Sequence, residues 1–221
     1  MSWKKKLLKN FRLYAITDLE EESSGIIKKV NEALQGGVDI LQLRSKVLSD
    51  AALLRLARKM GPLCRKHRKL FFINDRIDLV LASGADGVHL GQDDMPYREA
   101  QRILGRETFI GRSTHSLPQA LKAVREGHDY IGVGPVFETP TKPDCAPVGL
   151  RLVGEVAARV GIPFVAIGGI DSSNLGHVIE AGANSIACVR AIFSSKNIQQ
   201  SVKELLKQYE LSLACRRNRC D

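Results

Sequence analysis

Short apolar runs recur along the chain at a steady interval: FRLYAIT at 11–17, VDILQLR at 38–44, LFFIN at 70–74, ADGVHL at 85–90, TFIGRS at 108–113, DYIGVG at 129–134, PFVAIGG at 163–169 and NSIACV at 184–189. Between most of them the apolar positions fall at helical spacing, which predicts helices over 50–67, 75–83, 117–126, 151–160 and 172–180. Strand and helix alternating over the whole length is the pattern of parallel βαβ units. In QGGVDI, ASGADGV, REGHDYI and EAGANSI a helix ends in a small-residue turn and the next strand opens on Asp or Asn. Glycine there closes the helix in a left-handed cap, and the short turn feeds the strand. Eight such runs fit an α/β fold of the closed (β/α)8 TIM-barrel type better than an open doubly wound sheet, because closure leaves no strand edge exposed. A single domain over 1–221 is expected, with its core at about 11–193, a basic N-terminal extension and a C-terminal helix and tail.

Composition refines this picture without redirecting it. A length of 221 residues, 44% of them hydrophobic, supplies one sizeable core. No apolar run approaches the roughly 18 residues that span a bilayer. MSWKKKLLKNFR at 1–12 has no apolar stretch behind its lysines to make a secretory signal, so the expected compartment is the cytoplasm, with no membrane partner. The five cysteines lack metal-ligand spacing and read as reduced thiols. A net charge of +9 raises the question of nucleic acid, yet the excess lies mostly in KKKLLK, in CRRNRC and along 55–69, with only 5% aromatics to stack on bases. A solvated basic surface that also attracts phosphorylated small molecules is the better reading, so no nucleic-acid partner is expected. A homo-oligomer is left open.

In a barrel the polar groups just past each strand converge on one mouth. Along the predicted rim stand Thr17 and Asp18, Gln42, Arg44 and Lys46, Asn74 and Asp75, Gln92 and Asp94, Ser113 and His115, Thr139, Thr141 and Lys142, Gly168 and Gly169, and Val189 and Arg190. Asp75 and Asp94 then occupy neighbouring strand ends, where two carboxylates repel unless a cation lies between them or one keeps a proton. With Arg44, Lys46 and Lys142 on the same rim, Mg²⁺ shared with a phosphorylated ligand is the favoured resolution, since this ion takes one or two carboxylates plus phosphate oxygens. The plainer alternative is that each aspartate merely caps the following helix. FVAIGGI followed by DSSN offers backbone N–H groups at a glycine turn to a second phosphate, and SIACVRAIF supplies the matching turn after the last strand. The irregular stretch 137–149 has the length of a lid or ligand clamp. His89 and His115 are either acid–base groups or packed, hydrogen-bonded side chains.

The blocks LYAITD, GGVDILQLRSK, INDRIDLVLASGADGVHLGQDDMP, IGRSTHS, DYIGVGPVFETPTKPDCAPVG and AIGGI occur in the order found in thiamine-phosphate synthases, and the chain resembles that family from Leu13 to Phe193. The resemblance implies a barrel that joins a hydroxymethylpyrimidine diphosphate to a thiazole phosphate, forming thiamine monophosphate and pyrophosphate. It implies Mg²⁺ on Asp75 and Asp94, and the diphosphate on Arg44, Lys46, Asn74, Ser113 and Lys142, with Arg44, Lys46 and Lys142 as the catalytic cations. Gln42 meets the pyrimidine, while Thr139, Thr141, Gly169, Val189 and Arg190 hold the thiazole phosphate. Ser45, counted with the binding residues, stands where the family commonly has an acid, which removes a salt bridge that would orient Arg44. Arg190 stands where a small serine is common. Two rivals remain: a sister thiazole tautomerase, in which His115 moves the proton, and a non-catalytic binder of thiamine phosphates.

Overall fold

The computed structural model describes residues 2–21, 25–141 and 145–218. Its strands are β1 (Leu13–Ile16), β2 (Ile40–Leu43), β3 (Leu70–Asn74), β4 (Gly87–Leu90), β5 (Phe109–Thr114), β6 (Tyr130–Val133), β7 (Phe164–Ile167) and β8 (Ile186–Cys188). All pair in parallel, in chain order, and β8 returns to β1 to close the barrel. Around them run α2 (Ile26–Gly36), α3 (Asp50–Lys66), α4 (Ile77–Ser83), α5 (Tyr97–Leu104), α6 (Leu117–Glu126), α7 (Gly149–Arg159), α8 (Leu175–Glu180), the short α9 (Arg190–Phe193) and α10 (Ile198–Asn218); α1 (Trp3–Asn10) precedes the first strand.

The two-residue period of a strand divides the side chains between two cores. Leu13, Ala15, Leu41, Leu43, Phe71 and Ile73 point outward into a shell shared with the helices. Tyr14, Ile16, Ile40, Leu70, Phe72, Phe109, Tyr130, Val165 and Ala187 point inward and meet Leu8 and Phe11 of the N-terminal segment, which plugs the floor. Interior rings need room on neighbouring strands: a Cβ on Gly111 would sit 2.2 Å from the Tyr130 ring, and one on Gly87 would sit 2.5 Å from the Phe72 ring.

The strand-opening acids explain themselves at the floor. Asp39 accepts the Arg12 N–H, Asp86 accepts that of Phe71 and Asp129 that of Ile110, so each ties its own strand to the start of the preceding one. Lys69 and Arg12 close on Asp39 at 2.8 and 3.3 Å, and Lys4 of α1 closes on Asp86 at 2.7 Å. Burial alone would raise Asp39, but the Lys69 ammonium and the Arg12 N–H outweigh it and hold the carboxyl below its ordinary value. At Asp129 burial prevails over the Ile110 N–H and the more distant Lys5, and the carboxyl is raised. The preceding glycines Gly37, Gly84, Gly127 and Gly182 all take positive φ, as their cap position requires.

Several boundaries differ from the expectation. The helix expected at 75 begins at Ile77, because Asp75 has φ +62° and Arg76 is extended. The helix expected at 172 begins at Leu175, because the Asp171 carboxylate takes the Ser173 N–H and hydroxyl while Asn174 takes the Asp171 N–H, making a turn first. The folded core also runs past 193: α10 packs between α2 and α8, burying Val202 and Leu205 and completing the helical ring. Arg216 of the basic tail donates to the carbonyls of Ile179 and Ala183, where α8 ends. At the other terminus, the extension is helix α1, whose Trp3 ring lies 6.0 Å from the Lys4 ammonium and 5.8 Å from the Arg68 guanidinium.

Candidate active site

At the carboxyl ends of the strands the same alternation that fills the floor with rings changes to polar residues. Ile40 is followed two positions on by Gln42, Phe72 by Asn74, Gly87 by His89 and Gly111 by Ser113, all inward on one lumen. They line a cavity of about 710 Å³ together with Arg44, His115, Thr139, Thr141, Gly169, Val189 and Arg190. Glu138 and Tyr14 also line it, and neither carries a signal in the sequence beyond its position in a loop or an apolar run.

Asp75 and Asp94 stand beside this cavity rather than in its lining, at the ends of β3 and β4. Their carboxylates lie within hydrogen-bond reach of each other. Neither caps a helix: the positions before α4 and α5 are Arg76 and Pro96, without a side-chain cap. Asp94 instead accepts the Gly91 N–H at 2.6 Å, and Asp75 takes the Lys46 ammonium at 2.6 Å. Partial burial, then the neighbouring Asp75, pushes the Asp94 carboxyl above its ordinary range, and the Gly91 N–H and Lys46 do not cancel this. The two acids thus stand side by side with the Lys46 ammonium on Asp75 and the Gly91 N–H on Asp94. Among the described residues no third Asp, Glu, His or Cys joins it as a metal cluster. Two hard, partly exposed carboxylate donors suit Mg²⁺, which keeps waters and takes ligand phosphate oxygens for the rest.

Arg44 keeps a carboxylate partner in spite of Ser45. Asp18, at the end of β1, forms an ion pair with its guanidinium, while the Arg44 N–H donates to the buried Thr17 hydroxyl. Ser45 is occupied in shaping its own loop: its hydroxyl donates to the Leu19 carbonyl at 2.6 Å and accepts the N–H groups of Val47 and Leu48. It does not line the cavity. Lys46 reaches the acid pair from outside the lining, and Lys142 lies outside the described residues.

The opposite side of the mouth is built from backbone. Gly168 and Gly169 take φ +104° and +64° after β7, and a Cβ on Gly169 would fall 2.5 Å from the Glu138 carbonyl oxygen. Asn174 fixes the turn by donating to the Gly169 carbonyl. Among the described residues the amides of Gly169 and Ile170 have no hydrogen-bond acceptor, which leaves donors for an anion. Val189 and the exposed Arg190 border the same space after β8.

His115 is held by its ring Nδ1 on the Gly134 carbonyl, and its N–H donates to Gln119. His89 bridges Tyr130 and Ser113.

Fold and site define a (β/α)8 barrel whose mouth carries a carboxylate pair on one side and a backbone-lined glycine turn on the other. The chain belongs to the thiamine monophosphate synthase family, whose sequence model matches residues 13–192. It is 47% identical to the thiamine-phosphate synthase of a Synechococcus species, over 93% of this chain and 59% of that protein. It is 45% identical to the thiamine-phosphate synthase of Shouchella clausii, over 92% of this chain and 98% of that one. The chain thus spans less than two thirds of the length of the Synechococcus relative and nearly all of the second. Among solved structures, a thiamine phosphate pyrophosphorylase from Pyrococcus furiosus superposes with a TM-score of 0.85 at 37% identity, over 94% of this chain and 99% of the other. No helix among the described residues is long and apolar enough to cross a membrane.

Proposed function

We propose that the chain is a thiamine-phosphate synthase: it couples a pyrimidinylmethyl diphosphate to a thiazole phosphate and releases pyrophosphate. The observation that carries this reading is the mutual reach of the Asp75 and Asp94 carboxylates beside Asn74 and Lys46, at the edge of a cavity that Arg44 also lines. An acid pair of this kind is unfavourable alone and becomes useful when a divalent ion and an anionic ligand arrive together. Mg²⁺ bound there would supply positive charge against the oxygens of the leaving diphosphate.

The protein's own side chains take the remaining work. Arg44, aimed by Asp18, and Lys46 place fixed positive charge against the charge that builds on pyrophosphate as the C–O bond stretches. Asn74 and Ser113 add neutral donors on the same side. Lys142 belongs to the same set by family resemblance. The amino group of the pyrimidine helps its ring carry the positive charge left on the methylene, and the thiazole nitrogen then captures that carbon. No protein nucleophile is required. The unsatisfied amides of Gly169 and Ile170, with Thr139, Thr141 and Arg190 alongside, orient the acceptor by its phosphate so that ring nitrogen and methylene meet.

A tautomerase has no need of a diphosphate site, and the acid pair with Lys46 argues against that rival. The test mixes both substrates with Mg²⁺ and measures pyrophosphate and thiamine monophosphate. Equal yields of the two products are expected. Isomerised thiazole phosphate without pyrophosphate, or binding without any turnover, would overturn the proposal.

A further inference from the structure

Five inward side chains from five strands form one unbroken hydrogen-bonded chain along the floor of the cavity, four of them lining it. Gln42 Nε2 of β2 donates to the Tyr14 hydroxyl of β1 at 2.7 Å, and that hydroxyl meets the Tyr130 hydroxyl of β6 at 2.9 Å. The Tyr130 hydroxyl meets His89 Nδ1 of β4 at 2.9 Å, and His89 Nε2 meets Ser113 Oγ of β5 at 2.9 Å. Both ends, Gln42 and Ser113, line the cavity, whereas Tyr130 is fully buried and does not. Its hydroxyl reaches the centre of the chain because Gly111 lies opposite, where a Cβ would come within 2.6 Å of it.

The chemistry of the first link fixes the sense of all the others. An amide NH₂ group only donates, so the Tyr14 oxygen accepts and its own proton passes to the Tyr130 oxygen. The Tyr130 proton passes to His89 Nδ1. An imidazole that accepts at Nδ1 carries its proton on Nε2 and gives it to Ser113 Oγ. The Ser113 hydroxyl proton is then left for the cavity, where it can be donated to an anion. At the opposite end Gln42 Oε1, which has no partner among the described residues, is left as an acceptor. Burial raises both tyrosines far above their ordinary values, so each keeps its proton and the sense is not lost by ionisation. Reversing the amide would invert every link and turn the Ser113 lone pairs toward the anion, which repels them.

We propose that this chain sets hydrogen-bond polarity across the site: it holds Ser113 as a donor to the leaving diphosphate and Gln42 as an acceptor for the pyrimidine amino group, with Tyr130 as the positioning residue that joins the two. The proposal rests on the coupling activity proposed above for the identity of the ligand, but the polarity itself is a property of the free protein. It makes recognition of the two ends of one substrate interdependent, because losing a middle link frees Ser113 to turn its proton away.

Two measurements test it. In ligand-free protein, ¹⁵N NMR of the imidazoles should find the His89 ring protonated on Nε2 and bare on Nδ1. The opposite tautomer overturns the proposal whether or not the coupling reaction is ever observed. In steady-state kinetics, Tyr130→Phe keeps the ring and removes the hub hydroxyl, and should lower kcat by about 10-fold while leaving KM for the thiazole phosphate unchanged. Adding Tyr130→Phe to Ser113→Ala should then lower kcat little further, because both losses act through one hydroxyl. Fully additive losses, or an equal rise in KM for both substrates, would assign Tyr130 to packing alone. Should Tyr130→Phe fail to fold, the wild-type tautomer still decides.

Discussion

The floor and the mouth of the barrel both gather aspartates, and two of the floor acids, Asp39 and Asp86, are treated in the opposite way to the pair at the mouth. On the floor, Asp39 accepts a backbone N–H and meets two cations, and Asp86 accepts a backbone N–H and meets Lys4. At the mouth, Asp75 and Asp94 stand together with the exposed Lys46 on Asp75 as their cation partner among the described residues, and Asp94 is driven above its normal range. Charges neutralised from within hold strands in register and need nothing further. Carboxylates set against each other favour a cation between them, and that opposition separates the mouth from the floor.

The sharpest way to test the contrast is to remove one charge from each end. Millimolar Mg²⁺ should raise the melting temperature of the wild type, and Asp75→Asn should abolish that rise and lower the coupling rate by about 100-fold. A variant with unchanged turnover would disconnect the acid pair from the chemistry. Asp39→Ala should do the reverse, costing about 2 kcal/mol of stability, since it strands the part-buried Arg12 N–H and the Lys69 ammonium, with turnover at 25 °C intact. Denaturant unfolding reads the loss directly. Because the Asp39 carboxyl is depressed, its contribution is complete above its ordinary value of 3.8 and disappears as pH falls through the lower folded value.

Smaller effects refine the picture. Without Mg²⁺, Asp94→Asn removes a repulsion and should raise the melting temperature by roughly 1–2 °C, the opposite sign to a floor aspartate. His128 supplies the mildest test. It is buried against Tyr97 with ring centroids 4.6 Å apart, Nδ1 on the Ala123 carbonyl and Nε2 without a partner among the described residues. Burial lowers its pKa, with Arg112 acting the same way and the Ala123 carbonyl and Glu126 opposing. The unfolded chain therefore takes up a proton that the folded one refuses, and stability should decline as pH falls below about 6.5. That slope should flatten in His128→Gln, as followed by melting temperature between pH 7 and 5.

Much of this was legible before folding. The alternation of inward and outward residues names the strands, and the polar residues at their ends name the mouth, because period and polarity are local properties. The boundaries missed at 75 and 172 were set by Asp75 in a left-handed conformation and by an Asp171 turn, which periodicity does not register. α1 was read as a charged extension because its lysines mask Leu8, which joins Phe11 in sealing the floor. The partnership of Asp18 with Arg44 and the hydroxyl contact of Tyr14 with Tyr130 join residues 26 and 116 positions apart. A phenol inside an apolar run reads as a hydrophobe until the fold shows what its oxygen touches.

The single tryptophan of the chain, Trp3, belongs to the floor helix, between Lys4 and Arg68. Its fluorescence is consequently a reporter for the sealed end of the barrel and should stay silent while ligands come and go at the other. An emission shift that precedes the loss of helical circular dichroism would mean that the plug lets go before the wall gives way.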